Sequence, residues 1–266
     1  MIPCVECQNF VVDLIYQRKE GSDMEYFLET SGSIESGHGF SHFDLLHLSW
    51  LGFFAVLIAV GCIWYRRLDG SGRRKARYLM AGMIVANEIF KMVCLTIGNN
   101  YTVHYLPLHL CSINIFIVAI HAVRPNKVLD NFLYAICIPA ALAALLFPSW
   151  TKLPFLNFSH IHSFTIHIEL ALYPIILTAA GDIRPDWRKI PQCLALLGGF
   201  GIVALIVNLL LDTNYMFLME AESGNTLLYF EEWFGSHLIG FPVLITLILL
   251  IMYLPHVLLH RRKKKA

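Results

Sequence analysis

Charge is scarce in this chain. Asp, Glu, Lys and Arg supply 15% of its 266 residues, hydrophobic residues supply 57%, and mean hydropathy is +0.60. That deficit excludes an ordinary soluble globular domain. The formal net charge of +1 gives no reason to expect nucleic acid as a partner. The amino-terminal stretch lacks the long apolar core of a cleavable signal peptide, and no internal repeat is visible. Its Cys4-Val5-Glu6-Cys7 pair has no second CxxC to complete a zinc site and no βαβ pattern around it, so it reads as incidental. Seven cysteines, five of them inside apolar runs, do not make a disulfide scaffold.

What the chain has in quantity is apolar runs long enough for a hydrocarbon core, which takes about 20 residues of helix. Seven are legible, near His47–Tyr65, Tyr78–Ile97, Pro107–Val123, Val128–Phe147, His160–Ala180, Ile190–Leu211 and Ser236–Leu258. Backbone amides cannot stay unpaired in lipid, so each run is expected to be a helix. The fold class is therefore all-α, a polytopic membrane protein with a seven-helix transmembrane bundle. Sixteen of the twenty Lys and Arg residues fall in alternate segments: Arg66 to Arg77, Arg124 with Lys127, Arg184 to Lys189, and the tail Arg261 to Lys265. By the positive-inside rule the N-terminus is outside and the C-terminus cytoplasmic. Three regions follow: an extracytoplasmic segment over 1–45, a transmembrane domain over 46–258, and a basic tail over 259–266 that suits anionic headgroups. Residues 1–23 read as a possible extension ahead of a natural start at Met24.

Polar residues inside the runs carry the functional argument, because each costs a few kcal/mol if left unpaired in lipid. The second run holds Asn87, Glu88 and Lys91, spaced to meet on one helix face, with a structural ion pair as the plain reading. The third opens at Leu106-Pro107-Leu108-His109-Leu110-Cys111, and a proline in a helix first turn leaves the following amides without partners. Such an end favours a thiolate at Cys111 and offers donors to an oxyanion, with Asn114 on the same face; the plain alternative is a buried core cysteine. The fifth run presents two stripes, His160, Ser163 and His167, then His162, Thr165, Glu169 and Tyr173. Three histidines with a buried glutamate suit a wet cavity. At 1.5 Å per residue Cys111 lies about 6 to 8 Å and His167 about 10 Å below the outer boundary. Lys91 and Asn208 share that layer, and Asn214 and Tyr215 follow in the outer loop. Metal binding competes for His109, His160, His162, His167 and Glu169, but no HExxH or comparable signature is present, and no cofactor is expected.

The string Leu106-Pro107-Leu108-His109-Leu110-Cys111-Ser112, Pro148, the His160-to-His167 segment and Asn214-Tyr215-Met216-Phe217-Leu218 together resemble the YwaF family of bacterial integral membrane proteins. That family includes an animal protein described as a cysteine-dependent phospholipid acyltransferase. The similarity runs from about Met24 to the end. It implies Cys111 as acyl-accepting nucleophile, His167 as its partner, and a bacterial cytoplasmic membrane as location. The fold is also similar to lipid hydrolases of the androgen-induced-gene group, which use threonine and histidine. Phe147-Pro148-Ser149 and Met219-Glu220 depart from the family pattern, a difference that bears on substrate choice.

The expected chemistry is acyl transfer in the outer leaflet. His167 takes the Cys111 proton, the thiolate attacks a lipid ester, and the acyl group passes to a lysolipid or to water. His109, Asn114, His160, His162, Ser163, Asn214 and Tyr215 are the expected substrate and oxyanion groups, with Asn87, Glu88, Lys91 and Glu169 as a buried charge network. The alternative is a proton-coupled transporter or membrane sensor built on the same histidines. The scarcity of polar residues in the inner half of the runs speaks against it, since transport needs a route through that half.

Overall fold

The structure, a computed structural model, describes residues 25–34, 37–221 and 227–263, with side chains to residue 254. The Cys4–Cys7 pair, the Met24 start and the side chains of the basic tail lie outside it. The regular structure of the described residues is all helical, without strands. In chain order the helices are α1 (Leu45–Arg66), α2 (Gly70–Ile97), α3 (Leu110–Val123), α4 (Lys127–Leu146), α5 (Phe158–Ala180), α6 (Ile190–Leu211), the short α7 (Leu227–Phe234) and α8 (Gly240–Lys263). Short 3-10 turns lead into α6 and α8.

Six helices, all but α3 and α7, are long and apolar enough to cross a membrane. The expected seventh, α3, has 14 residues, about 21 Å against a hydrocarbon core of about 30 Å. The missing length is the Leu106–His109 segment, which is not helical. Irregular backbone at membrane depth is tolerated where it borders a cavity rather than lipid, and this segment borders one.

Local chemistry sets the other boundaries. Asp44, Asp69, Asn126 and Asn157 are N-caps whose side chains accept from amides of the first turn, as His47 N to Asp44 at 2.8 Å and Gly72 N to Asp69 at 2.7 Å. The His47 and then the Ser41 amide hold the Asp44 carboxyl below its ordinary range. This cap is therefore intact at neutral pH and is lost only as pH falls through that lowered value. The Asp69 cap overturns one expectation. Arg73, Arg74, Lys75 and Arg77 are not in a loop but in the first turns of α2, because Ala, Arg and Lys continue a helix readily beyond the apolar core.

Helix α5 is the hub, packed against α1, α2, α3 and α4. Its Pro174 has no N–H to give to the Leu170 carbonyl one turn back. That carbonyl instead accepts from the Cys137 thiol at 3.3 Å. Cys137 ends a wide, π-type turn (Leu133–Cys137) in the middle of α4, a local widening that packing produces and sequence periodicity does not announce. At the far end Gly181, at φ 82°, closes α5 in the left-handed conformation that glycine adopts without strain.

The segment before α1 docks on the α4–α5 connection. The Phe40 amide donates to the Thr151 carbonyl at 2.8 Å, and a Cβ on Gly39 would run into that same oxygen. By contrast α1, α6 and α8 leave most of their apolar side chains uncovered, the surface a bilayer would cover.

Candidate active site

The candidate site begins at the start of α3. Leu106 is extended (ψ 146°), the conformation a following proline enforces. The helix opens at Leu110, with His109 as N-cap and no side chain closing the cap. The first intrahelical bond runs from the Ile113 amide to the His109 carbonyl at 3.0 Å. Pro107 is therefore not in the helix, and Cys111 is its second residue rather than one a turn deeper. The amides of Leu110, Cys111 and Ser112 precede that first bond and have no intrahelical acceptor.

These residues face a cavity of about 770 Å³ that also receives side chains from α2, α4, α5, α6 and α8. Its polar part brings together His109, Cys111, Asn114, His162, Ser163 and His167, with Lys91 and Glu88 at the α2 wall. Its apolar part is built from alanines of α4 and from Ile245 and Ile248 of α8. Asn114 is 1% exposed and its Oδ1 has no hydrogen-bond partner. The buried Trp150 indole N–H, on another wall, also lacks one. Buried orphan polar atoms at a cavity lining are where a ligand completes the hydrogen bonding.

His167 is held from two sides. Its Nδ1 lies 2.6 Å from the Ser163 carbonyl oxygen, and Trp150 stacks on its ring at 5.3 Å and 10°. A carbonyl can only accept, so Nδ1 carries the proton and Nε2 presents a lone pair. That tautomer is the one a general base at Nε2 requires.

The remaining expected residues separate. His160 points toward α1, accepting from the Trp50 indole at 3.1 Å and with Nδ1 3.2 Å from the Leu153 carbonyl, among Phe40 and Phe164. The Asn214 amide is occupied in its own loop with the backbone of Met219 and Glu220. Tyr215 does not line the cavity but packs across the His109 ring at 5.1 Å, with its hydroxyl on the Val103 carbonyl. Asn208, expected in the cavity layer, instead ties this loop to α6: it accepts from Thr213 Oγ1 and the Tyr215 amide and donates to the Tyr215 carbonyl. The charge network divides in two. Lys91 Nζ meets Glu88 at 2.5 Å and Glu88 meets His162 Nε2 at 3.2 Å, whereas Asn87 donates to Glu169 and Thr165 at 3.0 and 2.9 Å. Among the described residues no group of three or more His, Cys, Asp or Glu side chains is placed to hold a metal ion.

Residues 39–253 match the TMEM164 family, and that span contains every residue lining the cavity. The chain belongs to the TMEM164 family. No curated protein and no solved structure matches it.

In this TMEM164 family member, two features escaped the sequence reading. Trp150 sits in a loop that offers no periodicity, so its stacking on His167 had no signal. The half of the bundle away from the cavity also proves less apolar than expected: His121 joins Tyr173 at 2.9 Å and Asp130 at 3.0 Å, and Tyr253 donates to Asn131 at 2.7 Å, all buried. His121 and Asp130 lie at opposite edges of a short helix connection, where each alone resembles a boundary residue.

Proposed function

We propose that the protein is a membrane-embedded acyl-transfer enzyme acting on phospholipid or lysophospholipid, with Cys111 as nucleophile and His167 as base. The observation that carries this reading is one cavity holding both an unsatisfied helix start at Cys111 and a histidine whose tautomer is fixed with Nε2 free. His167 Nε2 takes the thiol proton, and the thiolate attacks the ester carbonyl. A C–S bond forms as the C–O bond breaks, and the leaving lysolipid oxygen takes the proton from His167. The free amides of α3 and the Asn114 amide suit the oxyanion, and the apolar walls suit an acyl chain. Attack by a lysolipid hydroxyl or by water then breaks the thioester and regenerates the thiol.

The reading includes seven crossings, α3 with its irregular lead-in making the seventh, an outside N-terminus and a cavity open toward the outer leaflet. The test is lipid turnover by purified protein in liposomes, followed by mass spectrometry. Wild type is expected to redistribute acyl chains between phospholipid and lysolipid and Cys111→Ala is not; equal turnover by both proteins defeats the proposal. The inner-half His121–Tyr173–Asp130 network favours a second reading, proton-coupled transport. Proton flux across the same liposomes that persists in Cys111→Ala would support it.

A further inference from the structure

A second cleft lies at the opposite end of α2, α3 and α5. It has a volume of about 610 Å³ and is lined by Arg73, Arg77, His121, Asp182, Leu177 and Pro125, among others. The two arginines are one turn apart on α2, and their situations differ. Arg73 is fully engaged: Nη1 donates to Asp182 Oδ1 at 2.7 Å, and Nε and Nη2 reach the carbonyls of Leu68 and Arg66 at 3.2 and 3.5 Å. Arg77 is not. Among the described residues its one ion-pair contact is a 3.6 Å approach to Asp182 Oδ2, an oxygen that already accepts from Tyr65 at 2.7 Å; the guanidinium also neighbours the Tyr65 hydroxyl, and its buried Nε has no partner.

The other carboxylate nearby, Asp130, is shared by His121 at 3.0 Å and Lys127 at 3.2 Å. Both His121 ring nitrogens are occupied, by Tyr173 and Asp130. The cleft therefore sets two guanidinium groups against one carboxylate and leaves one guanidinium with spare donors. A half-buried guanidinium whose buried Nε lacks a partner is costly unless something completes it. A phosphate group does so best, because its paired oxygens match the planar fork of arginine.

We propose that this cleft is an anion site in which Arg77 binds a phosphate group, with Arg73 and Asp182 fixing its position and Leu177 and Pro125 offering apolar contact beside it. The chemistry fits the phosphate of an anionic phospholipid or a free phosphate. The site does not depend on the reaction at Cys111, which lines the other cavity.

The test uses the purified, delipidated full chain titrated with phosphatidylglycerol in mixed micelles, with bound lipid counted by native mass spectrometry. One lipid is expected to be retained saturably. Arg77→Gln is expected to weaken retention about tenfold or more, the loss of one charge-assisted fork. Arg77→Lys, which keeps the charge beside Asp182 but loses the fork, falls between, and it serves if Arg77→Gln does not fold. Arg74→Gln, an exposed neighbour outside the cleft, leaves retention within about twofold. Displacement by excess inorganic phosphate identifies free phosphate as sufficient, whereas retention despite it identifies the lipid as the source. The proposal is overturned if wild type shows no saturable binding, if the Arg77 variants bind as wild type does, or if Arg74→Gln weakens binding as much as Arg77→Gln.

Discussion

Two thiols separate reactivity from packing. Cys111 lies on the cavity at an open helix start, whereas Cys137 is fully buried and donates to the Leu170 carbonyl that Pro174 leaves free. Cys137→Ala should cost about 1 to 3 kcal/mol of stability and leave thiol labelling of the cavity unchanged, with Cys137→Ser recovering part of the loss. Thermal unfolding in detergent beside labelling by a lipid-like electrophile checks both. His167→Ala should lower the labelling rate of Cys111 about a hundredfold near neutral pH, with partial recovery at alkaline pH as the free thiol ionises. A flat pH profile in that variant would remove His167 from the reaction. The spacing of His160 and His167 puts them on one stripe, yet a helical wheel carries no depth: at one level α5 meets Trp50 and Leu153, two turns on it meets Trp150. The sequence thus named the ligand types, and their neighbours decided which face the cavity.

The helices themselves were legible because lipid demands about 20 apolar residues in succession and a satisfied backbone. Six of the seven expected runs begin or end within about two residues of an observed helix, four of them at both ends. The start of α3 was not legible, because an extended residue before a proline suits both a helix first turn and an irregular lead-in, and only the cap at His109 shows which of the two holds. The Glu88–Lys91 spacing was legible, while the third member, His162, arrives from α5 and only packing reveals it. Lys91→Met leaves Glu88 with His162 alone and should cost about 3 kcal/mol, more than the double change with Glu88→Gln. Additive losses in a thermal denaturation cycle would dissolve the pair. At the loop over His109, Asn208→Ala removes three hydrogen bonds from a buried amide and should cost about 2 to 3 kcal/mol. A Tm equal to that of wild type would contradict this assignment.

At the scale of the whole molecule, the two clefts occupy opposite ends of the same three helices, one apolar with a thiol and histidines, one cationic. The distribution of basic residues predicts that the arginine-rich end faces the cytoplasm and the cavity end faces out. A reporter after Asp212 should accordingly be extracytoplasmic and one at the tail cytoplasmic; the reverse result would move the cavity to the inner leaflet. The most direct measurement of the central claim is the covalent intermediate. Purified protein in liposomes is mixed with phospholipid, quenched in acid and digested, and the peptide containing Cys111 is weighed. An added acyl mass on Cys111, released by hydroxylamine and abolished in Cys111→Ala, is the predicted result; continued lipid turnover by Cys111→Ala, with no acyl mass on Cys111 in the wild type, would contradict it.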